Sequence, residues 1–185
     1  MTKGEGWVPA PTRPDREVAG SSGTGTGETV VLGLGNPLLT DDGLGIAVLD
    51  RLAREWELPP EVQLVDGGTW GMSLLLPIED AERLILVDAI DASREPGEAI
   101  TLERDELPLL LTMKLSPHQV DLQDALAVSQ LRGRLPEHVV ALGVQPETVG
   151  LGITLSRTLE KGVEALTGRV IERLEAWGHE CRRRA

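Results

Sequence analysis

The sequence predicts a single α/β domain in three layers, with a mostly parallel sheet between helices on both faces. Strand-like and helix-like segments alternate from about residue 29 onward. The strand-like segments are nearly continuous runs of Val, Ile and Leu, which is typical of strands buried on both faces. The chain has 185 residues, 41% of them apolar and none of them Phe or Tyr, so we expect one core of aliphatic side chains.

The predicted elements follow one another in order with short connections. Strands are expected near 29–34, 61–65, 83–88, 98–103 and 138–144, and helices near 43–57, 69–80, 119–131 and 154–178. The helices are predicted from apolar residues that recur every three or four positions. In the first and last helices these are Ile46, Leu49, Leu52, Ala53 and Trp56, then Leu155, Leu159, Val163, Leu166, Val170 and Leu174. Thr154 and Ser156 predict the start of the last helix, and Gly178 its end.

Both ends of the chain are expected to lie outside the domain, which we place at 29–178. Residues 1–28 are rich in Gly, Ser, Thr and Pro, a composition typical of a flexible leader. Residues 179–185 are predicted to form a charged tail, with His179 in a mobile position.

Composition excludes several classes of partner. With 30 acidic and 18 basic residues the net charge is −12, which would repel nucleic acid and anionic membranes. The single cysteine, Cys181, cannot form an internal disulfide. No apolar stretch approaches the roughly 18 residues that span a bilayer, and the first residues lack the apolar core of a secretory signal. We therefore expect a cytoplasmic protein.

Acidic residues follow three of the predicted strands. The run Gly33–Gly45 breaks the first strand into a tight loop that carries Asp41 and Asp42, and two later strands end at Asp66 and Asp88. Ligands of open α/β sheets bind beyond the carboxyl ends of the strands. One aspartate there is often only a helix N-cap, but Asp42, Asp66 and Asp88 together at one edge favour a site.

Histidine occurs at positions 118, 138 and 179. Only His118, just before the helix predicted at 119–131, is expected to reach the acidic edge. A histidine at this position could be an ordinary loop residue as well as a metal ligand. As a ligand beside two carboxylates, His118 would complete a mixed nitrogen and oxygen site for a divalent ion such as nickel or zinc.

The glycine-rich loop lacks the motifs of nucleotide binding. No third glycine follows Gly33 and Gly35 at dinucleotide-binding spacing, and no Gly-Lys-Ser/Thr follows either. The two acids in the loop would also repel a pyrophosphate. The chain contains no Gly-x-Ser-x-Gly and no His-Glu-x-x-His, the usual motifs of serine hydrolases and of common zinc proteases.

Five segments, taken together and in order, resemble the nickel-iron hydrogenase maturation proteases, which remove a C-terminal peptide from the hydrogenase large-subunit precursor. The segments are Gly33–Gly45 (GLGNPLLTDDGLG), Asp66–Thr69 (DGGT), Val87–Ala89 (VDA), Ser116–Gln119 (SPHQ) and Gly143–Glu147 (GVQPE). The resemblance covers about 29–178, and the leader is a departure from the family pattern.

The resemblance implies a phosphorylase/hydrolase-like three-layer fold and a role for four residues. Asp42, Asp88 and His118 match the family's metal-binding triad, and Asp66 matches a further aspartate with a supporting or catalytic role. The nickel would belong to the substrate, with no resident metal required. Asp41 is expected to shape the loop, because adjacent residues of a turn seldom point the same way, which would make it a control position for substitutions.

Two mechanisms and two other functions stay open at this point. Peptide cleavage could use a metal-polarised carbonyl or metal-activated water, or a carboxylate such as Asp66 or Asp42 as general base. A non-catalytic nickel-sensing assembly chaperone could use the same residues. A small-molecule hydrolase or phosphorylase on a related sheet ranks last, because it would need an anion site at an edge dominated by acids.

Overall fold

The computed structural model describes residues 28–68, 71–107 and 120–184. The leader expected at 1–28, apart from its last residue, lies outside these ranges. In chain order the elements are β1 (Thr29–Leu34), a 3₁₀ turn (Thr40–Gly43), α1 (Leu44–Glu55), β2 (Trp56–Glu57), β3 (Val62–Gly68), a 3₁₀ turn (Gly71–Leu74), α2 (Leu75–Asp80), β4 (Arg83–Ala89), β5 (Ala99–Glu103), a 3₁₀ turn (Arg104–Glu106), α3 (Val120–Leu131), β6 (His138–Val144), α4 (Arg157–Ala176) and β7 (Arg182–Arg183).

The main sheet has the strand order β3-β1-β4-β6-β5. The first four strands in this order are parallel, and β5, the outermost strand next to β6, runs antiparallel to it. Because β1 lies between β3 and β4, the carboxyl ends of β3, β1, β4 and β6 meet along one edge of the sheet. This mostly parallel arrangement confirms the predicted fold class.

Each face of the sheet is covered by helices. Alternate side chains of the strands pack with α1 and α4 on one face and with α2 and α3 on the other. On β1, for example, Val31 packs on the α1 face, whereas Val30 and Leu32 pack on the other. The three layers predicted from the sequence are therefore present.

Two predicted helices differ from the structure. The first begins at Leu44, close to its predicted start, but ends at Glu55, because Trp56 and Glu57, the last two residues of the predicted helix, form β2. The segment predicted at 69–80 contains a 3₁₀ turn followed by the short α2. Pro77 explains this difference, because it has no N–H to donate and is tolerated only in a helix's first turn. Across the described residues no helix has the length and apolar character needed to cross a membrane.

The last helix begins and ends at the predicted signals. The Ser156 side chain accepts a hydrogen bond from the Leu159 N–H and caps the helix. At the other end Gly178 adopts a φ of 91°, and the N–H groups of Gly178 and His179 donate to the carbonyls of Glu175 and Leu174. These two hydrogen bonds form a Schellman motif, which requires the left-handed conformation that glycine adopts easily.

The expectation of a mobile tail is wrong for the described residues after Gly178. His179 is buried, and its Nε2 lies 2.8 Å from Oγ1 of Thr29, the first residue of β1. The two residues of β7 pair antiparallel with β2. A run of charged residues suggested solvation, but backbone pairing with β2 places the segment against the domain.

The start of α1 approaches the ends of two strands closely at Gly45. A Cβ atom there would lie 2.3 Å from the carbonyl oxygen of Val87 and 2.4 Å from that of Leu34. Both obstructing atoms belong to backbone at the carboxyl ends of β4 and β1. Glycine at this position therefore sets how near the acidic loop lies to the sheet edge.

Gly45→Ala should lower the free energy of unfolding by at least about 2 kcal/mol, because the added methyl group overpacks backbone that cannot rotate away. Gly168→Ala, in the middle of α4, is the matched control, since a Cβ there meets nothing within 4 Å. Helix propensity predicts a gain of up to about 1 kcal/mol for that control. Urea unfolding of both variants measures the contrast, and equal stabilities would contradict the close approach.

The structure also predicts a pH dependence of stability at His179. Burial lowers the pKa of His179, Arg83 lowers it further, and Glu61 opposes them. The stabilising contribution of the neutral ring is complete above its unfolded pKa of about 6.5. It is lost as pH falls through the lower folded pKa.

Thermal unfolding between pH 8 and pH 5 should therefore show a smaller loss of stability in His179→Gln than in wild type. Parallel curves for wild type and His179→Gln would be evidence against the buried neutral histidine.

Candidate functional site

The loop after β1 folds back on itself and buries Asp42. Gly35 has a φ of 108°, and a Cβ there would lie 1.7 Å from the carbonyl oxygen of Asp42. The Asn36 N–H donates to Oδ2 of Asp42 at 2.8 Å, and the aspartate is only 2% exposed. Its other oxygen, Oδ1, has no hydrogen-bond partner among the described residues. The carboxylate is thus held in the loop through one of its two oxygens.

Asp41 is fully buried, and its hydrogen bonds differ from those of Asp42. Its Oδ2 accepts hydrogen bonds from the N–H groups of Glu147 and Thr148, both at 2.9 Å, and its Oδ1 accepts one from Ser156 at 2.7 Å. Three backbone donors compensate the burial of the charge. They also attach the loop between β6 and α4 to the loop that carries Asp42.

The same two loops are joined by Thr40 and Leu39. The Thr40 N–H donates to the Gly152 carbonyl at 2.8 Å, and the Gly152 N–H donates to the Leu38 carbonyl at 3.0 Å, so Leu39 and Gly152 form a parallel bridge. The Thr40 hydroxyl donates to the Thr148 carbonyl and accepts from the Gly150 N–H. Thr40 has a φ of 45°, an uncommon conformation for threonine that these contacts hold in place.

Asp88 lies next to this loop, at the end of β4. The residue is 4% exposed, and its Oδ1 accepts a hydrogen bond from the Ala89 N–H at 2.8 Å. The first turn of α1 packs against the carbonyl of Val87, the preceding residue. The structure therefore brings Asp42 and Asp88 to the same sheet edge, as the sequence predicted.

Asp66 is placed differently from Asp88. Gly33 of β1 pairs with Asp66 on one side and with Val87 on the other, so Asp66 shares the face of Val87, the α1 face. Asp88, one residue further along, belongs to the opposite face. Asp66 is exposed, and the register shifts just beyond it, where Leu34 pairs with Gly68. Asp66 and Asp88 are therefore separated by one strand, β1, and lie on opposite faces of the sheet.

His118 lies outside the described residues, as do Ser116, Pro117 and Gln119. Its role as a ligand stays a prediction. Within the described ranges no group of three or more His, Cys, Asp or Glu side chains could hold a metal. Of the three predicted ligands, Asp42 and Asp88 fall in these ranges, and carboxylate oxygens are suitable donors for a divalent ion.

Gln145 is a residue of the site edge to which the sequence assigned no role. It follows β6 and is 6% exposed. Its Oε1 accepts from the N–H groups of Ala92 and Arg94, at 2.9 and 3.1 Å, and its Nε2 donates to Oδ1 of Asp91 at 3.0 Å. Gln145 thereby fixes the loop that follows Asp88. Its place in the family-like segment Gly143–Glu147, directly after a buried strand, is the sequence signal that pointed to this position.

These features define an α/β protein whose candidate site lies at the carboxyl edge of a parallel sheet and is supplied by carboxylates. A family model described as hydrogenase maturation protease matches residues 46–173. The chain belongs to the hydrogenase maturation protease family, and it is a protease.

Individual relatives agree with this assignment. The chain is 38% identical over 153 residues to the hydrogenase 2 maturation protease of Escherichia coli (strain K12), covering 82% of this chain and 93% of that protein. It is 37% identical over 153 residues to the hydrogenase expression/formation protein HupD of Rhodobacter capsulatus, covering 82% and 73%.

Solved structures share the fold. The hydrogenase maturating endopeptidase HybD from E. coli superposes with a TM-score of 0.81 at 37% identity, covering 85% of this chain and 98% of that one. The [NiFe] hydrogenase maturation protease HybD from Thermococcus kodakarensis gives a TM-score of 0.65 at 26% identity, covering 80% and 98%.

The bonds to Asp41 make it a poor control position, contrary to the sequence-based expectation, although its role in shaping the loop is confirmed. Asp41→Asn should lower the free energy of unfolding by about 3 kcal/mol, because an amide nitrogen cannot accept from backbone N–H groups. Asp50→Asn, at an exposed position of α1, should change it by less than about 0.5 kcal/mol. Chemical denaturation compares the two, and a neutral Asp41→Asn would disprove the anchoring role.

Proposed function

We propose that this protease removes the C-terminal peptide of a nickel-iron hydrogenase large-subunit precursor after nickel has been inserted, and thereby activates the hydrogenase. The observation that carries the proposal is the pair of buried carboxylates, Asp42 and Asp88, at one sheet edge of a maturation protease. Among the described residues Oδ1 of Asp42 has no hydrogen bond, so this oxygen is the atom we assign to an incoming metal.

Nickel enters this proposal as part of the substrate. Asp42, Asp88 and His118 bind the ion through coordination positions that the precursor leaves open. Two carboxylates and one imidazole provide few ligands, so they favour a metal that already has ligands from the precursor. Cleavage then depends on nickel being in place, and a metal-free precursor is left intact.

The cleaved bond is the peptide bond that precedes the C-terminal extension. Water adds to the carbonyl carbon, the C–N bond breaks, and the departing nitrogen takes a proton. A carboxylate near the carbonyl assists by accepting a proton from water. Asp42 and Asp66 are the two candidates for this role. Asp66 belongs to the other face of the sheet from Asp88, and Asp42 can accept a proton only through the oxygen that does not bind the ion. The protease is therefore of the metal-assisted or the aspartic type, and in the first case the substrate holds the metal.

The non-catalytic assembly chaperone is not favoured, because the relatives named for their activity are proteases. We place the reaction in the cytoplasm, in keeping with a chain whose single cysteine leaves it without an internal disulfide. Nucleic acid is not proposed as a partner, given the net charge of −12.

The test is cleavage of a large-subunit precursor from the same organism, followed by intact-protein mass spectrometry. The wild-type chain should release the C-terminal peptide from nickel-loaded precursor and leave metal-free precursor unchanged. A chaperone would bind the precursor without shortening it. Failure to cleave a precursor that is competent for maturation in cell extract would refute the proposed function.

Substitutions at the proposed nickel-binding residues should separate binding from folding. Asp42→Asn, Asp88→Asn and His118→Ala should each lower the cleavage rate by at least about 100-fold, the size typical of groups that act directly on the reaction. Asp66→Asn tests the second acid: a loss as large as that of Asp42→Asn would place it in the reaction.

Asp50→Asn is the matched control for these carboxylates and should cleave at the wild-type rate. Thermal unfolding confirms that each variant folds. Wild-type rates in all three proposed ligand variants would show that the site lies elsewhere.

A further inference from the structure

Exposed apolar side chains concentrate around the acidic edge of the sheet. Of the seven large apolar side chains exposed among the described residues, six follow β1, β3 or β6: Leu38, Met72, Leu76, Val149, Leu151 and Ile153. The seventh, Leu131, ends α3 at the opposite edge. Exposed apolar residues scattered singly need no explanation, but a group beside a candidate site indicates an interaction surface.

Four of these side chains belong to the two loops that Asp41 and Thr40 join. We define the docking patch as Leu38, Val149, Leu151 and Ile153, which are 60%, 51%, 93% and 80% exposed. The parallel bridge between Leu39 and Gly152 places Leu38 and Leu151 at neighbouring positions of the two loops. The patch is therefore built on an anchored backbone and loses little freedom when a partner binds.

The loop segments that carry the docking patch have no charged side chains of their own. Residues 36–40 and 148–156 contain no charged side chain, although 26% of the chain is Asp, Glu, Lys or Arg. Exposed Glu147 and exposed Arg157 flank residues 148–156, so the border of the patch is of mixed charge. The net charge of −12 on the whole chain favours a partner whose apolar area has basic surroundings over one with acidic surroundings.

We propose that the docking patch binds an apolar, basic-rimmed surface on the folded body of the hydrogenase large-subunit precursor, a proposal that rests on the proposed function. Asp41 joins the patch to the Asp42 loop, and Leu38 lies four residues before Asp42. A substrate whose cleavage site reaches Asp42 therefore lies directly beside the patch. The patch selects the precursor's body, whereas the acids meet its metal.

Two other occupants fit the observations less well. A second copy of this chain would bring together two surfaces that each belong to a protein of net charge −12. The chain's own residues 1–27 connect to Glu28, next to the amino end of β1, so they would have to run the length of the sheet to reach the patch.

The experiment compares Leu151→Ser and Ile153→Ser with Leu131→Ser. Leu131 is the matched control, being 88% exposed at the opposite edge. With nickel-loaded precursor, each patch variant should raise KM about tenfold and leave kcat unchanged, as expected when apolar contact contributes equally to the ground and transition states. Leu131→Ser should match wild type in both, and thermal unfolding should be unaffected in all three.

Unchanged KM values in the patch variants, or a fall in kcat alone, would overturn the docking proposal while wild-type cleavage still supported the function. Where wild type fails to cleave, the function fails, and the docking proposal is decided by direct binding of the precursor to wild type and to Leu151→Ser. Equal binding would overturn it. Analytical ultracentrifugation that showed a wild-type dimer abolished by Leu151→Ser would assign the patch to a second copy instead.

Discussion

The buried carboxylate of Asp41 is the interaction on which the arrangement of the site depends. An ionised carboxylate removed from water is strongly unfavourable unless hydrogen bonds replace its hydration. Three backbone N–H groups do so, and all three come from the loop between β6 and α4. The residue that satisfies the charge thus fixes two loops against each other. Because Asp42 is the next residue, the hydrogen bonds of Asp41 also fix its position.

The neighbouring aspartates divide structure and chemistry between them. Asp41 uses both oxygens on backbone, whereas Asp42 uses one on the Asn36 N–H and leaves the other without a partner in the described residues. In a 3₁₀ turn successive side chains point about a third of a turn apart, so one acid can face inward while the next faces the edge. The consequence for stability is that the group supporting the site is itself a buried charge.

The sequence predicted the layers, the five main strands and the acidic edge, because these follow from aliphatic runs, periodicity and the ends of parallel strands. It did not predict which face each acid occupies. That depends on the pairing of Gly33 with both Asp66 and Val87, a register that no local pattern encodes. It also missed β7 and the burial of His179, since long-range backbone pairing and a contact with Thr29 override a charged composition. His118 remains predicted from its sequence position.

The proposed division between acids and docking patch bears on selectivity. A metal site with few protein ligands discriminates loaded from empty precursor but provides modest affinity alone. A small apolar surface provides affinity but cannot sense nickel. When both contacts form on one rigid edge, the second becomes intramolecular once the first has formed, and their contributions multiply. The Asp41 anchor and the bridge between Leu39 and Gly152 support this coupling, because they hold the patch and Asp42 together before a partner binds and so reduce the cost of ordering them.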